Sequence, residues 1–428
     1  MAKDQIIFVC GNCGEEYLKW QGRCDNCGEW NTLKEMSRPK AVSRRGEAPA
    51  EIVELAGVQT KNFQRISTKI TEFDRVLGGG IVPGTIMILG GDPGIGKSTL
   101  LLQLAGNLPN TLYISGEESL EQLKLRFDRL KLKSKSLKIF PEIDLEQIVG
   151  AIGKEKPPVA IIDSIQTVYS ADFPSTPGSL VQVRECALRL QQLAKSSSSA
   201  IILVGHVTKE GNVAGPRTLE HLVDIVLYLE GERFHDQRIL RGVKNRFGAT
   251  SEIGIFKMTE YGLSEVINPS EVFLAERLKN VPGNVVTATI EGSRPLLVEV
   301  QALLVPTVFG YPQRRTSGFD LNRLQLLLAI LQKRAGLNLA SQDVFINIVG
   351  GIKIFEPAVD LAVALAVAGA LKGKSLDWRL CAFGEIGLSG EIRRVSMESK
   401  RKDEAKRLGF EKFIQAKTIE ESIRRYCV

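Results

Sequence analysis

Residues Gly91-Asp92-Pro93-Gly94-Ile95-Gly96-Lys97-Ser98 fit the pattern G-x-x-x-x-G-K-[ST], and Thr99 follows. Glycines let a backbone wrap around a phosphate with its N–H groups inward. The lysine reaches the β and γ oxygens, and a hydroxyl such as that of Ser98 suits a magnesium ion. The chemistry implied is binding of ATP or GTP with Mg²⁺, provided that a strand precedes the loop and a helix follows it. The apolar run TIMILG stands before the loop and TLLLQLAG after it.

Other residues are candidates for the same chemistry. Asp163 ends the run VAIID, where a carboxylate can hold the magnesium shell through water; the alternative is a strand-end Asp that caps the next turn. Glu117 and Glu118 follow TLYISG, placed either to orient an attacking water or to complement a helix dipole from its first turn. His206 ends AIILVGH, as a structural residue or as a contact to the γ-phosphate. Lys244 and Arg246 alternate in VKNRFG and so share one strand face, which is either solvated or presented to a neighbouring subunit's nucleotide.

A second constellation is Cys10-x-x-Cys13 and Cys24-x-x-Cys27, with ten residues between the pairs and a glycine, Gly14 or Gly28, after each. Four soft ligands in two tight knuckles suit tetrahedral zinc, with iron of rubredoxin type as the chemical alternative. With no open position the metal is expected to be structural. Trp20 and Trp30 are expected to form the small core of this module or to contact a partner. Cys186, Cys381 and Cys427 are scattered, and the distribution reads as metal ligation rather than disulfides.

These groups need elements to position them. From Gly84 onward, short apolar runs alternate with longer helical patterns, which predicts βαβ units around a mostly parallel sheet and an α/β class. DIVLYLEG, RILRGVKNRFG and EIGIFKM then follow with no room for helices, so an antiparallel meander is expected at the sheet edge. The pattern resets near Asn268-Pro269 and gives an α+β domain of its own. The expected division is a metal module over 1–35, a flexible linker over 36–56 (rich in Pro, Ala and Ser, with Arg38, Lys40, Arg44 and Arg45), an ATPase domain over 57–268 and a last domain over 269–428.

Composition sets the outer bounds. With 428 residues, 43% apolar and 25% charged, the chain is long enough for two or three domains, which excludes a disulfide-stapled miniprotein and a coiled coil. Its 56 basic and 49 acidic residues give +7, which permits an anionic partner without demanding one. The longest strongly apolar run, Leu361 to Leu371, falls short of the ~20 residues that cross a bilayer. The start MAKDQIIFVC lacks the pattern of an export signal, so a cytoplasmic protein is expected.

The order of these motifs resembles the bacterial RadA family, also called Sms. Paired cysteine knuckles, GDPGIGKST, YISGEES, IIDS, VGHVTKEG, KNRFG and a C-terminal domain similar to that of Lon protease follow one another along essentially the whole chain. The resemblance implies a RecA-like P-loop ATPase between a zinc module and a Lon-like domain. It implies an ATP-driven motor of homologous recombination and DNA repair that binds single-stranded and branched DNA. Such a motor drives branch migration as a hexameric ring and cooperates with RecA.

By position, Glu117 is similar to the RecA-fold catalytic glutamate, with Glu118 a near rival. His206 is similar to the residue that links nucleotide state to DNA, and Lys244 and Arg246 to cations inserted across a subunit interface. The loops 171–179 and 207–218 resemble DNA-facing loops, with Lys209 and Arg217 meeting phosphates. In the Lon-like domain, alignment through Pro357 puts Ala358 at the nucleophile, and GEI-x-L-x-G puts Arg401 at the catalytic lysine. Neither can do that chemistry, so the resemblance implies a scaffold without proteolysis. An ATP-dependent protease, a self-phosphorylating kinase of RecA fold and a nucleotide-gated adaptor are the alternatives. A basic stretch of Arg393, Arg394, Lys400, Arg401, Lys402, Lys406 and Arg407 is either a solvated helix face or a duplex-DNA contact.

Overall fold

The computed structural model describes residues 5–11, 15–38, 64–134, 136–173, 175–205, 216–231, 236–308 and 310–427. They form two compact units, Met1–Glu230 with Arg238–Glu265, and Gly231–Gln237 with Val266–Val428.

The first unit begins with a small antiparallel sheet of β1 (Gln5–Cys10), β2 (Glu16–Tyr17) and β3 (Leu33–Arg38), in the order β2-β1-β3. Cys10, Cys24 and Leu33 are its buried centre, with Phe8, Tyr17 and Cys27 packed around them. Trp20 and Trp30 are 58% and 67% exposed, so they do not form the core: three thiols and a leucine already fill so small a module. Of the linker expected over 36–56, residues 36–38 belong instead to β3; residues 39–63 lie outside the described residues.

The main sheet has nine strands. They are β4 (Ile86–Gly90), β5 (Leu112–Ser115), β6 (Lys138–Pro141), β7 (Val159–Asp163), β8 (Ala200–Val204), β9 (Ile225–Glu230), β10 (Gln237–Asn245), β11 (Ile253–Thr259) and β12 (Gly262–Glu265). Their order is β12-β11-β10-β9-β4-β8-β7-β5-β6. From β9 to β6 the neighbours are parallel, and β10 turns back antiparallel on β9.

The apolar runs are continuous because helices cover both faces. Met87 and Leu89 of β4 face the helix Lys97–Asn107 through Leu100, Leu101 and Leu104. Ile86 and Ile88 face the other way, in one cluster with Val183, Cys186 and Leu190 of the helix Leu180–Ser197. The edge strand β6 is short, only half covered and ends in Pro141, features that blunt an open edge.

The second unit holds a six-stranded sheet ordered β15-β16-β14-β13-β17-β20. The long hairpin β13 (Asn284–Glu291) and β14 (Arg294–Pro306) lies at its middle, with β15 (Arg314–Ser317), β16 (Gln342–Ile348), β17 (Leu380–Cys381) and β20 (Lys412–Phe413) on either side. β18 (Glu385–Ile386) and β19 (Ile392–Arg393) pair separately. The helix Asp360–Lys372 is buried along its first ten residues, as its near-continuous Ala, Leu and Val sequence requires.

Ala358 is buried in the short turn Pro357–Val359 that leads into this helix. Arg401, from the helix Glu398–Arg407, is fully buried and does not belong to a basic surface. Its guanidinium donates to the carbonyls of Ser396 at 2.9 Å and Ala288 at 2.6 Å and to Glu356 Oε2 at 3.0 Å, and it also pairs with Glu356 Oε1. Glu356 accepts in addition from the Ile290 amide at 2.9 Å and from Thr289 Oγ1 at 3.0 Å.

Of the other cations in that stretch, Lys402 pairs with Glu398 at 2.6 Å and Arg407 with Glu404 and Glu271, both at 2.9 Å. A buried charge stripped of its partner is strongly destabilising. Glu356→Ala should therefore cost about 3–5 kcal/mol in denaturant unfolding, while Glu356→Leu combined with Arg401→Met should recover most of that loss.

Candidate nucleotide site and metal centre

The phosphate loop leaves β4 at the carboxyl edge of the sheet. Gly91, Gly94 and Gly96 have φ of 148°, 78° and 113°, a region that only glycine enters freely. At Gly91 space demands glycine as well, since a Cβ there would lie 2.5 Å from the Leu229 carbonyl oxygen. Ile95 is buried beneath the loop, while Asp92, Pro93 and Gly94 are exposed at its tip. Arg238, itself buried, donates from Nε to the Ile95 carbonyl at 3.1 Å and anchors the loop to β10. Sequence reasoning missed Arg238, which carries no signal of its own because QRILRGVKN holds several other polar and charged residues.

Lys97 opens the following helix, with Ser98 and Thr99 in its first turn. It is only 4% exposed, and its ammonium donates to the carbonyls of Gly91 at 2.8 Å and Asp92 at 3.0 Å. Burial lowers its pKa, while the carboxylates of Asp163, Glu117 and Asp92 act in the opposite direction.

Asp163 closes β7 beside β5. The Tyr113 hydroxyl donates to its Oδ2 at 2.5 Å, and burial followed by the Asp163 charge pushes the Tyr113 pKa well up, so that it remains a donor. Asp163 Oδ1 is buried and has no hydrogen-bond partner among the described residues. A carboxylate oxygen left open beside a buried lysine fits a hydrated magnesium ion, with Ser98 as the second protein oxygen.

Glu117 and Glu118 part company. Ser164 Oγ donates to Glu117 Oε1 at 2.5 Å, next in sequence to Asp163. Glu118 is paired instead with Arg126 of the helix Leu120–Arg129. Both acids precede Ser119, which caps that helix in a reciprocal box with Gln122, so neither lies in the first turn, where Glu121 does. Gly116 is obligatory before them, since a Cβ there would meet Thr167 Oγ1 at 2.0 Å.

Lys244 and Arg246 lie elsewhere. The register pairs Met87 with Ile225 and Gly90 with Tyr228, and then Ile225 with Asn245 and Glu230 with Ile239. The start of β10 is therefore level with the phosphate loop, and its end is level with the beginning of β4. At that far edge Lys244 Nζ donates to the carbonyls of Glu220 at 2.6 Å and Val223 at 2.8 Å. Arg246, with its side chain 52% exposed, pairs with Asp224 at 3.2 Å. His206 and Lys209 lie outside the described residues, as does the side chain of Arg217, whose backbone is in the short helix Pro216–Leu219.

In the cysteine module, Sγ atoms of Cys10, Cys24 and Cys27 lie within 4.8 Å of one another, with Cys10 and Cys27 at 3.7 Å. Tetrahedral zinc with ~2.3 Å bonds places its sulfurs ~3.8 Å apart, so these three thiols fit the metal. Gly28, at φ 77°, turns the second knuckle. Cys13 lies outside the described residues.

Comparison with known proteins agrees with both sites. A family described as "Rubredoxin metal binding domain" matches residues 8–35, and one described as "AAA domain" matches residues 54–212. The chain is 50% identical over 425 residues to a protein named DNA repair protein RadA from Bacillus subtilis, covering 97% of this chain and 93% of the relative. Proteins of the same name from Halalkalibacterium halodurans and Listeria monocytogenes are each 50% identical over 97% and 98% of this chain and 93% of their own. The chain belongs to the RadA family. The chain therefore carries an ATPase domain behind a zinc ribbon, and no described helix is long and apolar enough to cross a membrane.

Two measurements check these sites. Tyr113→Phe removes a donor to a buried carboxylate, which should raise the Mg²⁺ concentration for half-maximal ATP turnover roughly tenfold while leaving the fold intact by circular dichroism. Cys24→Ser should abolish stoichiometric zinc by metal analysis and leave the phosphate-loop unit folded.

Proposed function

We propose that the chain is an ATP-dependent DNA motor of homologous recombination and repair, binding single-stranded and branched DNA and driving branch migration together with RecA in the cytoplasm. Gly91 to Thr99 cradle the triphosphate, Lys97 neutralises its β and γ oxygens, and Ser98 and Asp163 hold Mg²⁺, which offsets charge on the phosphates when bound. Glu117 orients the attacking water, with Ser164 fixing its carboxylate; Glu118 serves the adjacent helix through Arg126. His206 relays nucleotide state, and Lys209 and Arg217 meet the DNA backbone.

The observation that carries this reading is the placement of Lys244 and Arg246 at the sheet edge opposite their own phosphate loop. Cations there cannot serve the nucleotide of their own chain. They can serve that of a neighbour, which makes turnover depend on assembly, and a closed hexameric ring satisfies every site at once. Proteolysis is disfavoured, since Ala358 offers no hydroxyl and Arg401 is consumed by Glu356.

ATP turnover measured without DNA, with single strands and with duplex tests the proposal. Single strands should stimulate the wild type, and Lys97→Ala and Arg246→Ala should each be inactive. Mixing those two variants should recover part of the activity, because some interfaces then join an intact loop to an intact arginine. Undiminished turnover by Arg246→Ala, or no recovery on mixing, overturns action across the interface. Glu117→Gln should lower kcat by roughly 100-fold or more, and Glu118→Gln only a few-fold.

A further inference from the structure

The second unit contains a cleft that the nucleotide chemistry above leaves unused. Its volume is about 780 Å³, within the range of small-molecule sites. β17, β19, β20 and the residues following them, together with the helices Glu398–Arg407 and Ile419–Tyr426, enclose it. We propose that this cleft binds a nucleoside phosphate, independently of the phosphate loop.

The wall and the rim differ in chemistry. Cys381, Phe383, Ile392 and Phe413 give an apolar wall, and the two phenyl rings lie 6.0 Å apart at a 59° tilt. Lys402 Nζ stands 5.7 Å from the Phe413 centroid, so a cation and an aromatic face meet at one place. Around them stand Arg393, Arg394, Lys402, Lys417 and Arg425, against only Glu398 and Glu421.

Local pairing accounts for part of this charge. Arg393 pairs with Glu391 at 2.7 Å, Lys402 with Glu398 and Arg425 with Glu421, both at 2.6 Å. The side chains of Arg394 and Lys417 are exposed and come within ion-pair distance of no described residue; their charges act on Glu398 and Glu421 only through space. An excess of positive charge remains, and two of its bearers are free to turn toward a ligand.

This combination selects the ligand class. Free guanidinium and ammonium groups hold phosphate oxygens, and an aromatic face beside a cation holds a planar base. Inorganic phosphate would leave the apolar wall unused. A duplex is too thick to enter the cleft and would touch only its rim, leaving the wall in water.

Equilibrium dialysis of the full chain with radiolabelled ADP tests the proposal. A second equivalent of ADP should bind beyond the one that Lys97→Ala removes. Arg394→Glu with Lys417→Glu should weaken that second equivalent by roughly tenfold or more and leave the first in place. Arg394→Ala and Lys417→Ala, both at exposed positions, give the same reading singly should the double reversal disturb folding. A single equivalent that disappears with Lys97→Ala overturns the proposal, as does a second one indifferent to these substitutions. Weakened duplex binding in the reversed variant, with ADP binding unchanged, overturns it in favour of a nucleic-acid rim.

Discussion

A lysine ammonium almost wholly withdrawn from water stands at the centre of the nucleotide site, and most of what surrounds it follows from that fact. Removing Lys97 from solvent disfavours its charge. Carbonyls of its own loop take its protons, and carboxylates from three different segments raise the local negative potential. The loop can offer those carbonyls because glycines bend it through positive φ, at Gly91 where a side chain would also strike the Leu229 backbone. Arg238 then keeps the bend in place from a strand distant in sequence. The pocket is thus built around one positive charge before any anion arrives.

Adjacency of β5 and β7 supplies the opposite charge. Because these strands pair in register, Ser115 stands beside Asp163, and the segments leaving them share one corner. Tyr113 fixes one carboxylate oxygen of Asp163, and Ser164 fixes one of Glu117. Orientation here comes from neutral hydroxyls, which constrain the acids without cancelling their charge. Glu118, one residue on, is paired with a guanidinium and spent on the adjacent helix.

The phosphate loop, its flanking elements and the cysteine knuckles were legible in the sequence because each is local chemistry: glycine freedom, lysine reach and thiol spacing act within a few residues. Asp163 was legible because it ends an apolar strand. Tyr113, Arg238 and the division of labour between Glu117 and Glu118 were not, since they depend on which strands lie side by side. β6 escaped notice because a short, half-covered edge strand shows no apolar period. In the second unit, alignment singled out Ala358 and Arg401, but only packing shows that Glu356 and the Ala288 carbonyl capture the guanidinium. Of the two roles open to Trp20 and Trp30, core or partner contact, the first is ruled out because three thiols and a leucine already fill the centre.

β10 joins two places with different duties. Near its beginning Arg238 grips the Ile95 carbonyl, and at its far end Lys244 and Arg246 hold residues 220–224. The span between is roughly 20 Å of extended, hydrogen-bonded chain, stiff along its axis and interrupted by one bulge between Gly242 and Lys244. A strand of this kind fixes a spacing: the arginine that anchors the loop and the cations of the far edge stand a set distance apart on one hydrogen-bonded element.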